Sequence, residues 1–178
     1  KRHPLRLTPR ELMAYLNRYL TIAADTITQQ NGIIDKYVAN EILGLFNTQL
    51  NPSEDHALRA VLAALERADA FCALYAHSGE PAGVRYFRIG INTGVATLGN
   101  VGSETRREFT AVGDSVNAAH RLLENARDGE IVIGEATYQA CASVLRQIPR
   151  LTLRSAEKIF VKNRREPMHV YRFYREDS

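Results

Sequence analysis

The 178-residue sequence predicts one α+β domain spanning residues 1–178. Three observations carry that reading. Long stretches with apolar residues at helical spacing are interrupted by short runs with strand-like composition. The order is helix, hairpin, helix, strands, helix, strands, not a regular alternation, which places helices on one or both faces of a sheet. No internal repeat or low-complexity tract breaks the chain.

The first helix follows from its start signal. Thr8, Pro9 and Glu11 supply an N-cap, a proline at the first helical position and a capping-box acid. Leu12, Leu16, Tyr19, Ala23 and Ile27 then keep helical spacing, so the helix runs from Thr8 to about Gln30. "GIIDKYV" and "EILGLF" follow as two tightly joined strands, a hairpin. After the punctuation of Asn51, Pro52 and Ser53, a second helix carries a stripe through Ala57, Val61, Ala64, Ala68, Phe71 and Tyr75 and stops at "HSGEPAG".

"YFRIGINTGVATLGNVG", residues 86–102, reads as strand whose glycines mark kinks or close backbone approach. "EFTAV" is a further strand, and Gly113 with Asp114 opens a third helix over about Ser115 to Asn125, closed by "RDGE". "IVIG", a short helix around Glu135 to Cys141, and strands near Ile159–Lys162 and His169–Tyr174 complete the order. The chain starts on a helix without the strand that a βαβ unit would place before it. With Lys1 in first position, the expectation is a fragment of a longer protein whose sheet is completed by other chain.

Composition excludes several classes of function. With 45% hydrophobic and 24% charged residues, and no run of about 18 apolar residues, the segment reads as globular, with neither membrane contact nor a secretory signal. A net charge of +3 does not argue for nucleic acid, although basic residues gather in "VKNRREP". Cys72 and Cys141 lack metal-ligand spacing and are expected as reduced, buried thiols in a cytoplasmic protein.

Four motifs in order, "NGIIDKYVANEILGLF", "RIGINTGVATLGNVGS", "FTAVGDSVNAAHRL" and "GEIVIGEATY", resemble the catalytic domain of class III adenylate and guanylate cyclases from about Leu7 to Tyr174. The resemblance implies a ferredoxin-like βαββαβ core with extra strands, here with the first strand missing. It also implies a head-to-tail dimer with active sites at its interface, and attack of a ribose 3′-hydroxyl on the α-phosphate with release of pyrophosphate. Residue by residue, Asn117 matches the ribose-orienting asparagine and Arg121 the transition-state arginine; four apart on a helix, they share a face. A fixed cation there would stabilise charge that rearranges in the transition state. Lys36 matches the lysine that donates to adenine, and Thr110 the second base-reading position. A lysine suits the unprotonated N1 of adenine and clashes with the protonated N1 of guanine, so the pair favours ATP. Lys162 matches a lysine that contacts the β- and γ-phosphates; Asn163 and Arg164 depart from the family pattern beside it.

The family holds two Mg²⁺ ions between two aspartates. The first-strand segment that carries one of them in the family is not in this sequence, and the other position is Asn40, so no metal ligand is assigned. A neutral amide does not offset a dication's charge, and Mg²⁺ or Mn²⁺ would be held weakly in any active form. Asp35 and Glu41 lie on the same hairpin, but strand alternation puts both on the face opposite position 40. Asp114 suits the helix N-terminus instead. The resulting expectation is an adenylate-cyclase-type domain that converts ATP to cAMP and pyrophosphate, impaired as a homodimer or serving as the non-metal half of a heterodimer with another cyclase domain. The competing expectation is a catalytically inactive pseudocyclase that dimerises or binds nucleotide.

Overall fold

The computed structural model describes residues 8–76, 87–161 and 165–176. In chain order the elements are α1 (Pro9–Gln29), β1 (Ile33–Val38), β2 (Glu41–Leu45), α2 (His56–Ala76), β3 (Arg88–Ile91), β4 (Thr97–Gly102), β5 (Arg107–Val112), α3 (Asp114–Asn125), β6 (Glu130–Gly134), α4 (Glu135–Leu145), β7 (Leu151–Ile159) and β8 (Met168–Arg175). The α+β class holds, and helices cover both faces of the main sheet.

That sheet has the order β3-β6-β8-β7, with β3 and β6 parallel and the other pairs antiparallel. β6, "EIVIG", is buried at every position, and its alternation serves two cores. Ile131 and Ile133 pack with Ile89, Phe173, the α2 residues Val61, Ala64, Ala68 and Phe71, and Cys141 and Leu145 of α4. Val132 faces the other way, with Val170, Met168 and the α3 residues Ala118 and Leu122. Ile131, Val132 and Ile133 therefore each find apolar partners on one side or the other, as suits a strand at a central position in the sheet.

α1 begins with the expected capping box: the Thr8 backbone N–H donates to Glu11 Oε2 at 2.7 Å, and the Glu11 N–H returns to Thr8 Oγ1 at 3.3 Å. Its apolar stripe is only partly used. Ala23 and Ile27 are buried, whereas Leu12 is 46% exposed. α2 buries its expected stripe from Ala57 to Phe71; the side chain of Tyr75 lies outside the described residues.

Three element expectations need correction. Residues 86–102 are not one strand: Asn92 to Ala96 separate β3 from β4, and β4 pairs with β5 as an independent hairpin. The strand placed at Ile159–Lys162 is β7, which ends at Ile159 and starts at Leu151; Lys162 lies outside the described residues. Cys141 is buried but Cys72 only partly so; neither is in a disulfide.

The β1–β2 hairpin forms its own two-stranded sheet instead of joining β3. Between them runs a cleft of about 600 Å³, walled by Ile42, Leu45 and Phe46 on one side and Ile89 and Ile91 on the other, over Ala64. Among the described residues the two sheets are not joined there by hydrogen-bonded strands.

Gly90 sets the position of α3. A Cβ at Gly90 would stand 2.4 Å from the Leu123 nitrogen and 2.6 Å from the Ala119 oxygen, so only glycine lets β3 touch the helix backbone. Gly113 precedes α3 at φ 149°, a conformation that side chains resist.

Candidate active site

Lys36 and Thr110, 74 positions apart in sequence, are brought together by one carboxylate. Asp35 interrupts the β1–β2 ladder: the register shifts between Ile34 and Lys36, leaving Asp35 as the extra residue of a bulge. Bulges re-aim side chains, and Asp35 is turned onto β5. Its Oδ2 accepts from Thr110 Oγ1 at 2.6 Å, its Oδ1 accepts from the Ala111 N–H at 3.1 Å, and Lys36 Nζ lies 3.6 Å from Oδ2. The Asp35 side chain is 2% exposed, the Lys36 side chain 34%. Thr110 and Ala111 are buried.

Asn117 and Arg121 occupy successive turns of α3, whose buried side is Ala118 and Leu122. Asn117 is exposed, and Arg121 is partly exposed and ion-paired with Glu124 through Nη1. Glu124 also faces His120 Nε2 at 3.4 Å, while His120 Nδ1 lies 3.5 Å from Glu41 Oε2. His120 thus links α3 to the first residue of β2. The N-cap of α3 is Gly113, so Asp114 does not cap by side chain; it stands in the first turn, where negative charge is favoured.

The family model for the adenylate and guanylate cyclase catalytic domain matches residues 6–174. This chain belongs to the adenylate and guanylate cyclase catalytic domain family. Over 166 residues it is 30% identical to the terminal-differentiation specific adenylate cyclase of Dictyostelium discoideum, covering 90% of this chain and 7% of that protein. Adenylate cyclase 1 of Rhizobium meliloti is 33% identical over 65% of this chain and 17% of its own length. The chain therefore spans only a small part of these curated relatives. Among solved structures, the adenylyl cyclase CyaB from P. aeruginosa superposes with a TM-score of 0.82 at 29% identity, covering 97% of this chain and 86% of that one. The guanylyl cyclase Cya2 gives 0.77 at 30%, covering 94% and 82%. Structures of both specificities thus match at nearly equal identity, so resemblance alone does not select the purine.

For this cyclase domain the remaining question is metal. Asn40 is exposed at the two-residue turn between Val38 and Glu41. The carboxylates nearest in sequence have other partners: Glu41 faces His120, and Asp35 is held by Thr110 and Ala111. The geometric reason for excluding Asp35 is the bulge and not the alternation of a regular strand. Among the described residues no group of three His, Cys, Asp or Glu side chains could hold a metal ion. A neutral amide whose neighbouring carboxylates, Asp35 and Glu41, have other partners does not fit two dications.

Sequence reasoning missed Asp35 as a partner of Thr110. Its adjacency to Lys36 was visible, but nothing in spacing announces a contact with residue 110. Lys162, the expected phosphate contact, lies outside the described residues.

Proposed function

We propose that this domain is an ATP-directed cyclase module of cyclic-nucleotide signalling that acts as the non-metal half of a dimer with a metal-competent cyclase domain. The observation that carries the reading is the convergence of Lys36 and Thr110 on Asp35, beside a hairpin turn that offers Asn40 where the family places a carboxylate. Lys36 would donate to adenine N1 and Thr110 would meet the N6 edge. Asn117 would orient the ribose. Arg121 would stabilise charge on the α-phosphate as the bond from the 3′-oxygen forms and the bond to the leaving pyrophosphate breaks. Lys162 is assigned to the β- and γ-phosphates. To do its part, Arg121 must exchange Glu124 for phosphate, an inexpensive step because partly exposed ion pairs are worth about 0–1 kcal/mol. The carboxylates and Mg²⁺ or Mn²⁺ would come from the partner.

A partner has a surface to cover. Tyr37, Val38, Phe109 and Val112, each more than two-fifths exposed, stand on the strands that carry Lys36 and Thr110. Apolar exposure of that kind suits contact with a second cyclase domain.

The second reading, a pseudocyclase that binds nucleotide without turnover, draws on the same unfit donor set at Asn40. The two separate in one assay: cAMP formation from ATP with Mn²⁺ or Mg²⁺, for wild type and Asn40→Asp, each alone and mixed with a cyclase domain that retains metal aspartates but lacks the transition-state arginine. The heterodimer reading expects little activity from wild type alone and activity in the mixture, lost about a hundredfold with Arg121→Ala. Full activity of wild type alone overturns it. An inactive mixture in which the domains still associate favours the pseudocyclase.

A further inference from the structure

We infer that Asp35 is a specificity-determining residue: by holding the Thr110 hydroxyl as its donor, it leaves Thr110 only lone pairs to offer a nucleobase, and so selects adenine over guanine. The inference rests on the base-reading role proposed for Lys36 and Thr110, and goes beyond it by naming the group that sets the polarity of that site.

A threonine hydroxyl is ambiguous, with one O–H donor and two acceptor lone pairs. By itself it could accept from the N6 amino group of adenine or donate to the O6 oxygen of guanine. Thr110 would then be a poor discriminator. Asp35 removes the ambiguity. A carboxylate only accepts, so the bond of 2.6 Å between Thr110 Oγ1 and Asp35 Oδ2 consumes the hydroxyl proton. The orientation is well enforced: the Asp35 side chain is 2% exposed, its other oxygen is anchored by the Ala111 N–H at 3.1 Å, and the bulge at Asp35 fixes the approach. What remains on Thr110 is acceptor capacity, matching the N6 donors of adenine and opposing guanine O6.

The same carboxylate places the second reader. Lys36 Nζ stands 3.6 Å from Asp35 Oδ2, close enough for charge attraction but longer than a hydrogen bond. The ammonium is thus held near Thr110 with donors to spare for an unprotonated ring nitrogen. One buried carboxylate therefore orients an acceptor and tethers a donor, the pair that the N6 and N1 edge of adenine requires. Discrimination of this kind is strong because the disfavoured base leaves polar groups facing like polar groups.

The test is binding of fluorescent N-methylanthraniloyl ATP and GTP to the purified chain, read as the ratio of the two dissociation constants. Wild type should favour the adenine nucleotide. In Asp35→Asn the amide oxygen can keep the Ala111 N–H while the amide NH₂ donates to Thr110 Oγ1, turning the hydroxyl proton outward. The ratio should move toward guanine by about tenfold or more, the size of one favourable hydrogen bond. In the Asp35→Asn/Thr110→Asp double variant residue 110 is an acceptor without help, and adenine preference should return. The double variant also keeps one carboxylate in the pocket, which preserves a test should Asp35→Asn fold poorly. Equal weakening of both nucleotides in Asp35→Asn, or no rescue in the double variant, would assign Asp35 a merely structural role and overturn the inference. The underlying reading fails separately: if Lys36→Ala and Thr110→Val leave the wild-type ratio unchanged, or wild type shows no preference, these residues do not read the base at all.

Discussion

Arg172→Met should be among the most destabilising single changes in the domain. Glu130, the first residue of the fully buried strand β6, is 0% exposed, and Arg172 Nη1 on β8 donates to its Oε2 at 2.9 Å. The same guanidinium donates to the Asn125 carbonyl at 2.9 Å, at the C-terminal end of α3, and pairs through Nε with Glu157 on β7. With the arginine gone, Glu130 Oε2 retains the Arg127 N–H at 2.7 Å but no cation, while Oε1 already has no hydrogen-bond partner among the described residues. Breaking a buried pair from one side costs about 3–5 kcal/mol because an uncompensated charge stays behind. For a domain of this size each kcal/mol moves Tm by roughly 2–4 °C, so a drop of about 6–20 °C is expected. Thermal and urea unfolding followed by circular dichroism would measure it. Arg172→Met/Glu130→Gln should cost less than Arg172→Met alone, since no charge is then stranded, with a coupling of about 0.5–3 kcal/mol. A cost for Arg172→Met under about 1 kcal/mol, with additive effects in the double variant, would refute the assignment of this pair as the tie between α3 and the sheet.

Three further outcomes follow from single residues. Ala39 occupies the hairpin turn at φ 53°, a region that costs a non-glycine residue about 1–2 kcal/mol, so Ala39→Gly should raise the urea midpoint slightly and Ala39→Val should lower it. Glu124→Gln should release Arg121 and tighten nucleotide binding by at most about fivefold, an increase that fades as salt rises; titration at two ionic strengths reads it. Burial pushes the Cys141 thiol above its ordinary value, so the fold favours the neutral form: stability is fully present below the usual thiol range near pH ~8.5 and is lost as pH rises through the elevated value. Urea midpoints between neutral and alkaline pH should therefore fall more steeply in wild type than in Cys141→Ala, and thiol reagents should modify Cys72 faster than Cys141.

What was legible in the sequence was what local chemistry decides. Thr8, Pro9 and Glu11 fix the start of α1 because capping is settled within four residues, and the stripe of α2 is buried because apolar residues at helical spacing need a shared neighbour. Gly90 was legible as a close approach, although its partner, α3, was not. β7 was displaced because "LTLRSAEKI" is an edge strand with mostly exposed side chains, which lacks the apolar alternation that marks a half-buried strand. The break at Asn92–Ala96 was hidden by strand-like composition on both sides. Glu130 was invisible as a buried acid since its cation, Arg172, lies 42 positions downstream and is shared with Glu157, so the charges are reconciled only in the folded sheet. Asp35 shows the same limit at the site: a bulge and a partner on β5 decide its role, and neither has a local signature.

Asn40 is a residue whose identity the fold does not explain and on which the proposed function most depends. It is exposed at a turn where asparagine and aspartate are both favoured, and the strained position in that turn is Ala39. Neither packing nor backbone geometry therefore selects the amide, and Asn40→Asp should change stability by less than about 0.5 kcal/mol. What the substitution alters is charge. Glu41 is drawn toward His120 and Asp35 is spent on Thr110, so among the described residues of this hairpin an aspartate at position 40 would be the first uncommitted carboxylate. One carboxylate makes a weak dication site, and Mn²⁺ should raise the Tm of Asn40→Asp by a small, saturable increment in the millimolar range while leaving wild type unmoved, since a cation stabilises only the state that binds it. Differential scanning fluorimetry across a Mn²⁺ series reads this without turnover or nucleotide. An equal Mn²⁺ shift in wild type would mean that the chain holds the ion elsewhere, and that the amide at position 40 is not what separates this domain from metal.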